Sequence, residues 1–289
     1  MARRSLRPAL LLAAALALAT LGLAGCAALD EQQRRWIFQP TDRTWSAGLA
    51  AAEGMQDVWI DFHSQETGAP ARLHGLWLPH PTRDDAPVLL YLHGARWDVR
   101  GSAPRMRRLH ELGFAVLGID YRGFGQSQGG ELPSETMAYE DAAAAWQWLA
   151  EQRPRAPRFV FGHSLGGAIA VQLASSAAGV RGLIVEGSFP SIPDLVSTFR
   201  YGWLPVGPLI TQRFDAGARI GQVKAPVIVV HGSEDRLVPH RLGRALYERA
   251  REPKRFVLVE GGSHHNTNWV GIGQYRSTLA ELFPHERWF

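Results

Sequence analysis

The sequence predicts an α/β protein with a mostly parallel central sheet, and three observations support this prediction. Apolar segments of strand length alternate with longer segments of helical periodicity over most of the chain, which is typical of βαβ units with helices on both faces of a sheet. The segment 88–92 is apolar at every position, as expected for a strand that is buried on both faces. Two strand patterns at 58–62 and 73–78, separated by a Gly-Ala-Pro turn, predict an N-terminal antiparallel hairpin.

Composition excludes several classes of protein. The 289 residues are 46% hydrophobic and 20% charged, which is typical of a globular protein. With one cysteine, Cys26, the chain cannot form an intramolecular disulfide or a cysteine-rich zinc site. Neither of the two lysines follows a glycine, so the phosphate-binding P-loop is also excluded.

Residues 1–25 are predicted to be a lipoprotein signal peptide. Three arginines precede an uncharged apolar run that ends in Leu-Ala-Gly-Cys, and this layout is typical of an export signal. The ending resembles a bacterial lipobox, in which the cysteine becomes the lipidated first residue of the mature protein. The alternatives are an ordinary cleavage site that contains a cysteine and an uncleaved anchor, since the run is close to the length of a membrane span.

The resemblance to a lipobox implies a membrane tether at Cys26. Ala27, in place of an aspartate, implies sorting to the outer membrane and a location on its periplasmic face. Acyl chains contribute about 0.8 kcal/mol per buried methylene, so two or more of them anchor a protein stably. The whole chain has 31 basic and 27 acidic residues, a net charge of +4, whereas the chain from Cys26 has 28 and 27. The basic excess therefore belongs mostly to the leader, and we expect no nucleic-acid partner.

The chain after the leader is expected to contain a linker with an N-terminal arm at 26–55 and one α/β domain at 56–289. Beyond the hairpin and the buried strand, the pattern predicts strands at 114–119, 159–161, 183–185, 227–230 and 256–259 and helices at 103–112, 134–152, 165–178 and 269–283. The alternation stops between residues 187 and 223. This stretch is predicted to be a lid of two helices inserted above the carboxyl edge of the sheet.

A Gly-x-Ser-x-Gly motif lies between the predicted strand at 159–161 and the helix that follows. It consists of Gly162, His163, Ser164, Leu165 and Gly166. In a strand–turn–helix context this motif makes a sharp turn that exposes a nucleophilic serine at the carboxyl edge of the sheet. Glycines are needed beside it because larger side chains would collide in so tight a turn.

A nucleophilic serine requires a histidine base and an acid that orients it, and in this fold the order along the chain is serine, acid, histidine. The loop after the strand at 227–230 supplies Asp235, with its neighbour Glu234 as the alternative. The loop after the strand at 256–259 supplies His264, with His265 as the alternative. Together with Ser164 these residues form the predicted catalytic triad.

The oxyanion hole needs two backbone N–H donors that point at the tetrahedral intermediate. One is predicted to be the N–H of Leu165, directly after the serine. The other is expected from the loop that follows the strand at 88–92, where Ala95 is preferred and Arg96 is the alternative. We expect His93 to brace this loop.

With these residues the chain resembles the α/β-hydrolase superfamily from about Val58 to Phe283. The segment 120–127, Asp-Tyr-Arg-Gly-Phe-Gly-Gln-Ser, looks like the loop after the fourth strand of those proteins. Within the superfamily the chain is similar to the small-lid abhydrolase-domain branch, which includes protein depalmitoylases and lysophospholipase-like esterases. The chain departs from many relatives in the stretch 96–98, Arg-Trp-Asp, which leaves the exact oxyanion donor from this loop open.

The lid carries apolar side chains that could bind an acyl chain. They could equally be the face by which the lid packs on the domain. The candidates for a substrate lid are Phe189, Ile192, Phe199, Trp203 and Leu204.

The sequence predicts no cofactor and no metal. The segment 123–128 lacks the third glycine and the helix of a dinucleotide-binding fingerprint, and no His-Glu-x-x-His motif occurs. We therefore expect a monomeric serine hydrolase that acts on a small-molecule or lipid ester or thioester. The alternatives are a non-catalytic envelope protein that binds a lipid or partner, and a peptidase of the same fold.

Overall fold

The computed structural model describes residues 24–129 and 132–286 of the chain. Its strands are β1 (Gln56–His63), β2 (Pro70–Leu78), β3 (Val88–Leu92), β4 (Ala115–Ile119), β5 (Arg158–His163), β6 (Val180–Glu186), β7 (Val227–Gly232) and β8 (Lys254–Val259). They form one sheet in the order β1-β2-β4-β3-β5-β6-β7-β8. β1 and β2 make the predicted antiparallel hairpin, β2 pairs antiparallel with β4, and all other neighbours are parallel.

Ten α-helices lie in the described residues. They are α1 (24–38), α2 (Ser46–Ala52), α3 (Ala103–His110), α4 (Glu135–Gln152), α5 (Leu165–Ser176), α6 (Ile192–Val196), α7 (Ala216–Arg219), α8 (His240–Arg249), α9 (Thr267–Val270) and α10 (Ile272–Leu282). Side chains of α4, α5 and α8 pack on one face of the sheet, and those of α3 and α10 on the other. The predicted α/β fold with helices on both faces is therefore confirmed.

The continuous apolar run of β3 is explained by burial on both faces. Val88, Leu90 and Leu92 belong to the core on one side of the sheet, and Leu89 and Tyr91 to the core on the other. Successive side chains of a strand point to opposite faces, so a strand with two covered faces has no position for a polar residue. β3 also lies between β4 and β5, where the strand order changes direction and a crevice opens at the carboxyl ends of the strands.

A histidine buried in β2 joins the hairpin to the loop after β4. His74 Nδ1 lies 2.9 Å from Asp120 Oδ2, and His74 Nε2 lies 2.8 Å from Asp57 Oδ1. Burial alone would lower the pKa of His74, but hydrogen bonds and charge interactions with the two carboxylates raise it above 6.5. His74 is thus held in its charged form more strongly than a free histidine is.

The predicted linker and N-terminal arm at 26–55 begins with an ordered helix. Residues 24–38 form α1, and Phe38 at its end is fully buried, with ring centroids 6.3 Å from Phe124 and 5.6 Å from Phe214. The side chain of Gln33 donates to the carbonyl oxygen of Leu209 at 2.7 Å. The segment is therefore a helix packed on the domain, not a free linker.

The predicted signal peptide lies almost wholly outside the described residues. Cys26 is exposed near the described start of α1. No helix in residues 24–129 and 132–286 is both long and apolar enough to cross a bilayer.

The two helices of the lid are short. Between residues 187 and 223 the structure contains α6 and α7, of five and four residues, and two short 3-10 turns. Prolines at the starts of α6 and the first 3-10 turn suit the first turn of a helix. The lid is a folded loop with single helical turns.

Candidate active site

Ser164 occupies the turn between β5 and α5. Its backbone has φ 56° and ψ −122°, a conformation that non-glycine residues seldom adopt. A Cβ on Gly162 would lie 2.2 Å from the carbonyl oxygen of Gly166, and one on Gly166 would lie 2.1 Å from that of Leu92. Glycine is therefore required at both positions, and the motif makes the sharp turn that the sequence predicts.

The loop after β3 lies directly against Ser164. A Cβ on Gly94 would be 3.0 Å from Ser164 Cβ, so the next peptide group borders the nucleophile. The N–H of Arg96 donates to the carbonyl oxygen of Phe38 at 2.9 Å and is not available to a substrate. This geometry favours Ala95 over Arg96 as the first oxyanion donor.

The second predicted donor is Leu165, which begins α5. The first N–H groups of a helix have no acceptor within that helix, and the helix dipole attracts negative charge to this end. The N–H of Leu165 is therefore well suited to bind an oxyanion that develops beside Ser164.

His93 braces the loop after β3, as expected. Its Nδ1 lies 2.7 Å from the carbonyl oxygen of Gly94, and its ring packs on Tyr121 and Phe124 at centroid distances of 4.5 and 5.0 Å. Burial lowers the pKa of His93, so the neutral ring is favoured and the residue has a bracing role.

The predicted acid and base meet in the loops after β7 and β8. His264 Nδ1 lies 2.7 Å from Asp235 Oδ2, and the two side chains are 6% and 1% exposed. The other oxygen of Asp235 accepts the N–H groups of Leu237 at 3.0 Å and Val238 at 2.8 Å. These bonds fix the plane of the carboxylate and direct its second oxygen to His264.

The charge of Asp235 is strongly favoured. Burial would raise its pKa, but hydrogen bonds from the side chains of His231 and His264, with that from Val238, outweigh burial and hold the pKa well below 3.8. An ionised carboxylate at this position stabilises a proton on His264 Nδ1.

The sequence alternatives to these two residues lie outside the pair. Glu234 and His265 are exposed to solvent. Their neighbours Asp235 and His264 are buried and hydrogen-bonded to each other. Of the four predicted candidates, the structure brings together Asp235 and His264.

The neighbours of Ser164 in the fold place it next to this pair. The N–H of Ser164 donates to the carbonyl oxygen of Glu186 at 2.9 Å, and a Cβ on the next residue, Gly187, would lie 3.4 Å from His264 Nδ1. The residue before the serine, His163, places its Nε2 3.0 Å from the carbonyl oxygen of His264. The three predicted triad residues therefore converge at the carboxyl edge of the sheet.

A buried charged cluster that the sequence analysis does not predict lies behind His264. Arg105 Nε donates to Glu186 Oε1 at 2.9 Å, and the hydroxyl of Tyr275 donates to the other oxygen of Glu186. Arg105 also donates to the carbonyl oxygen of His265 at 3.3 Å. Arg105 and Glu186 are 81 positions apart and belong to no common motif, so only the fold reveals that they support the histidine loop.

The five predicted lid residues do not form one surface. Phe189 and Ile192 are buried in the hydrophobic core. In contrast, Phe199, Trp203 and Leu204 are 52%, 78% and 41% exposed. The first two residues therefore attach the lid to the domain, while the other three present apolar side chains to solvent.

Two open cavities in the described part of the chain lie away from the serine. One of about 480 Å³ lies between α2 and the hairpin, and one of about 450 Å³ lies beside the base of the lid. Neither is lined by Ser164, Asp235 or His264. Within the described residues no group of three or more His, Cys, Asp or Glu side chains is arranged to hold a metal ion.

The strand order, with a strained serine after β5 and a histidine–carboxylate pair after β8 and β7, defines an α/β hydrolase. Residues 84–214 match the family described as "Serine aminopeptidase, S33". The chain belongs to this family of α/β hydrolases, and it is a hydrolase.

Similar proteins and a solved structure support this assignment. The chain is 35% identical over 237 residues to uncharacterized protein Rv2307c of Mycobacterium tuberculosis, with 81% of each chain covered. It is 31% identical over 198 residues to the lysophosphatidylserine lipase ABHD12 of Danio rerio, with 62% of this chain and 51% of the relative covered. The Pyrococcus furiosus esterase Pf2001 has the same fold, with a TM-score of 0.65 at 20% identity over 86% of this chain and 98% of the esterase.

Proposed function

We propose that this hydrolase cleaves carboxylic esters or thioesters through an acyl-enzyme formed on Ser164. The observation that carries the proposal is the 2.7 Å hydrogen bond between His264 Nδ1 and Asp235 Oδ2. With its Nδ1 proton directed to the carboxylate, the neutral imidazole keeps a free lone pair on Nε2. That nitrogen is then the base for the serine hydroxyl.

In the acylation step, Ser164 Oγ attacks the acyl carbon while His264 Nε2 takes the hydroxyl proton. The resulting oxyanion accepts hydrogen bonds from the N–H groups of Ala95 and Leu165. The intermediate collapses as the bond from the acyl carbon to the leaving oxygen or sulfur breaks, and His264 returns the proton to the leaving group. Water, deprotonated by His264, then attacks the acyl-enzyme and releases the acid and Ser164.

Two observations favour an ester over a peptide substrate, although the family description names an aminopeptidase. A free amino terminus requires a carboxylate near the nucleophile, and the lid between residues 187 and 223 contains two acids. Asp194 accepts the hydroxyl of Ser191 at 2.5 Å, and Asp215 accepts the N–H of Ala218 at 3.0 Å as the cap of α7. Asp215 thus caps α7, and Asp194 is hydrogen-bonded to Ser191, the cap of α6, so both carboxylates already have partners within the lid.

A non-catalytic binding protein is the weaker alternative. Burial of an ionised carboxylate costs free energy unless it is compensated by hydrogen bonds. In Asp235 that compensation comes from a histidine and two backbone N–H groups beside the serine. A protein that only bound lipid would gain nothing from such an arrangement.

A lipid ester is the substrate class that the lid supports best. Phe199, Trp203 and Leu204 expose apolar surface, and one family relative is named a lysophosphatidylserine lipase. Cys26 is exposed, in keeping with lipidation there. The proposed enzyme is a monomer that is tethered through acylated Cys26 to the outer membrane, on the periplasmic face.

The test of the reaction is activity profiling of the purified full-length chain in detergent. We expect hydrolysis of p-nitrophenyl esters or acyl thioesters and labelling by a fluorophosphonate, and loss of both in Ser164→Ala with an unchanged circular dichroism spectrum. A wild-type chain that is inert in both assays, or a label that persists in Ser164→Ala, would refute the proposal. Faster cleavage of aminoacyl amides than of esters would favour the peptidase.

The test of the tether is mass spectrometry of the protein extracted from bacterial membranes. The amino-terminal peptide is expected to begin at Cys26 and to carry acyl chains, and Cys26→Ser is expected to lack them. An unmodified Cys26 in membrane-extracted protein would contradict this part of the proposal.

A further inference from the structure

We propose that α1, with the residue that follows it, is a positioning element for the oxyanion hole: Phe38 at its end and Gln39 after it hold the loop that carries Ala95. This inference rests on the proposed function, because it assigns a role in the same reaction. It concerns a segment that touches neither the triad nor the substrate. Its evidence lies in the contacts between the end of α1 and Arg96.

Two hydrogen bonds join the end of α1 to the residue after Ala95. The N–H of Arg96 donates to the carbonyl oxygen of Phe38 at 2.9 Å, and Arg96 Nε donates to Gln39 Oε1 at 2.7 Å. One bond fixes the main chain and the other the side chain of the same residue. Since the peptide group of Arg96 is covalently joined to Ala95, a shift of Arg96 also moves the donor N–H of Ala95.

The backbone at this junction requires such support. Gln39, Arg96 and Trp97 have φ values of 47°, 66° and 58°. Non-glycine residues seldom adopt the left-handed region, and they remain there when the surrounding structure holds them. Without the bonds to α1, the loop would be free to relax toward negative φ and displace the Ala95 N–H.

α1 is itself anchored to the domain at two residues, Phe38 and Gln33. The ring of Phe38 is fully buried between Phe124 and Phe214. Earlier in the helix, the side chain of Gln33 donates to the carbonyl oxygen of Leu209 at 2.7 Å and accepts the N–H of Thr211 at 2.9 Å. The helix thus links the base of the lid to the oxyanion loop and is anchored well enough to resist relaxation of that loop.

The oxyanion hole leaves little room for displacement. The position of a Cβ on Gly94 is 3.0 Å from Ser164 Cβ, so the loop already touches the nucleophile. Complete loss of one oxyanion donor costs about 10²- to 10³-fold in kcat. A donor that remains but is misplaced is expected to cost about tenfold.

The first experiment replaces the buried anchor in the full-length chain. Phe38→Ala is expected to lower kcat and the rate of fluorophosphonate labelling by about tenfold, while KM stays within about twofold. The pH profile of kcat/KM is expected to keep its shape, because the His264–Asp235 pair is untouched. Leu149→Ala is the matched control, since Leu149 is equally buried but lies in the last turn of α4. It is expected to lower the melting temperature without changing either rate.

A second set of variants keeps the proposal testable if Phe38→Ala does not fold. Gln39→Ala and Arg96→Ala are each expected to lower kcat about threefold, within the worth of one net hydrogen bond. The double variant is expected to lose no more than either single one, because both remove the same bond. Gln39→Glu keeps an acceptor for Arg96 Nε and is therefore expected to have the kcat of the wild type.

The outcomes separate this proposal from the proposed function. Three results would each overturn the role of α1 and leave the hydrolase intact. They are equal kcat in wild type and Gln39→Ala, additive losses in the double variant, and the same loss of rate in Leu149→Ala and Phe38→Ala. A wild-type chain without activity or labelling would overturn both.

Discussion

Replacement of Asp235 by asparagine tests the triad most directly. Asp235 Oδ2 accepts the His264 Nδ1 proton at 2.7 Å, and Oδ1 accepts the N–H groups of Leu237 and Val238. Asparagine can keep its oxygen on the two backbone donors, which places its amide NH₂ toward His264. Because two donors cannot share one bond, His264 must carry its proton on Nε2, and the base for Ser164 is lost.

The structure determines the size of this effect. The side chains of His264 and Asp235 are 6% and 1% exposed, so water has little access to replace the amide as the hydrogen-bond partner of His264 Nδ1. The same change in a serine hydrolase triad lowers kcat by about 10⁴-fold, which corresponds to about 5 kcal/mol of transition-state stabilisation. The two backbone bonds survive and the amide can donate to His264 Nδ1, whereas the interaction of His231 Nε2 with Oδ2 is lost. The free energy of unfolding is therefore expected to fall by only about 1–3 kcal/mol.

The assay compares Asp235→Asn with Glu234→Gln, the same chemical change at the exposed neighbouring position. Steady-state kcat on a p-nitrophenyl ester is expected to fall about 10⁴-fold in Asp235→Asn and to stay within about twofold in Glu234→Gln. Urea denaturation would establish that both variants are folded. If Asp235→Asn kept more than a tenth of the wild-type kcat, or if Glu234→Gln lost as much, the assignment of the acid would be wrong.

Three further perturbations probe the base, the loop beside the nucleophile and a buried charge. His264→Ala is expected to lower kcat by about 10³-fold or more. His265→Ala is expected to change kcat less than about twofold, because His265 is exposed. Initial rates at saturating ester distinguish the two variants. Gly94→Ala is expected to reduce fluorophosphonate labelling at least about tenfold, because its methyl group would lie 3.0 Å from Ser164 Cβ. His74 has a raised pKa, so its contribution to the free energy of unfolding is present below pH 6.5 and lost as the pH rises through its folded pKa. Urea denaturation between pH 6 and 9 is expected to show this decline in wild type and its absence in His74→Gln.

Each of these expectations has a contrary result. An inactive His265→Ala would exchange the roles of the two histidines. Undiminished labelling of Gly94→Ala would mean that the loop after β3 moves freely away from Ser164. Parallel pH profiles for wild type and His74→Gln would show that other groups cause the change in stability.

The convergence of Ser164, Asp235 and His264 could be predicted from sequence because each follows a strand of a parallel sheet. The carboxyl ends of parallel strands meet at one edge, so the motif and the order of the three residues are enough to locate the site at that edge. The choice within each adjacent pair could not be made in this way. It depends on which of two neighbouring side chains turns inward, and that is set by the loop after the strand.

The features that sequence did not predict depend on contacts between distant parts of the chain. In α1, Gln33 and Phe38 are buried whereas Trp36 is 67% exposed, so the helix lacks a broad apolar stripe. Its main partners are far away in sequence, since Arg96 follows Phe38 by 58 positions. The Arg105–Glu186 pair is hidden for the same reason, because each residue alone resembles an ordinary surface charge.

Helix α8 is not predicted by the sequence pattern because its composition is that of a solvated surface. Its sequence from 240 to 249 contains three arginines, and Leu242, Gly243 and Leu246 are its buried residues. The length of the lid predicts two helices, and both are present but short. The lid's prolines and glycines permit single turns, and the expected acyl groove is divided between buried and exposed side chains.

If Cys26 is acylated as proposed, the packing of α1 on the domain also limits how far the enzyme reaches over the membrane. A flexible chain of thirty residues would span roughly 30 Å and let the domain rotate freely, whereas the helical segment from Cys26 to Phe38 is rigid and about 18 Å long. An acyl group on Cys26 would therefore hold the serine at a nearly constant height and orientation above the lipid surface. Turnover would then depend on the two-dimensional density of substrate in that bilayer and on its lateral diffusion, more than on any concentration in the surrounding solution.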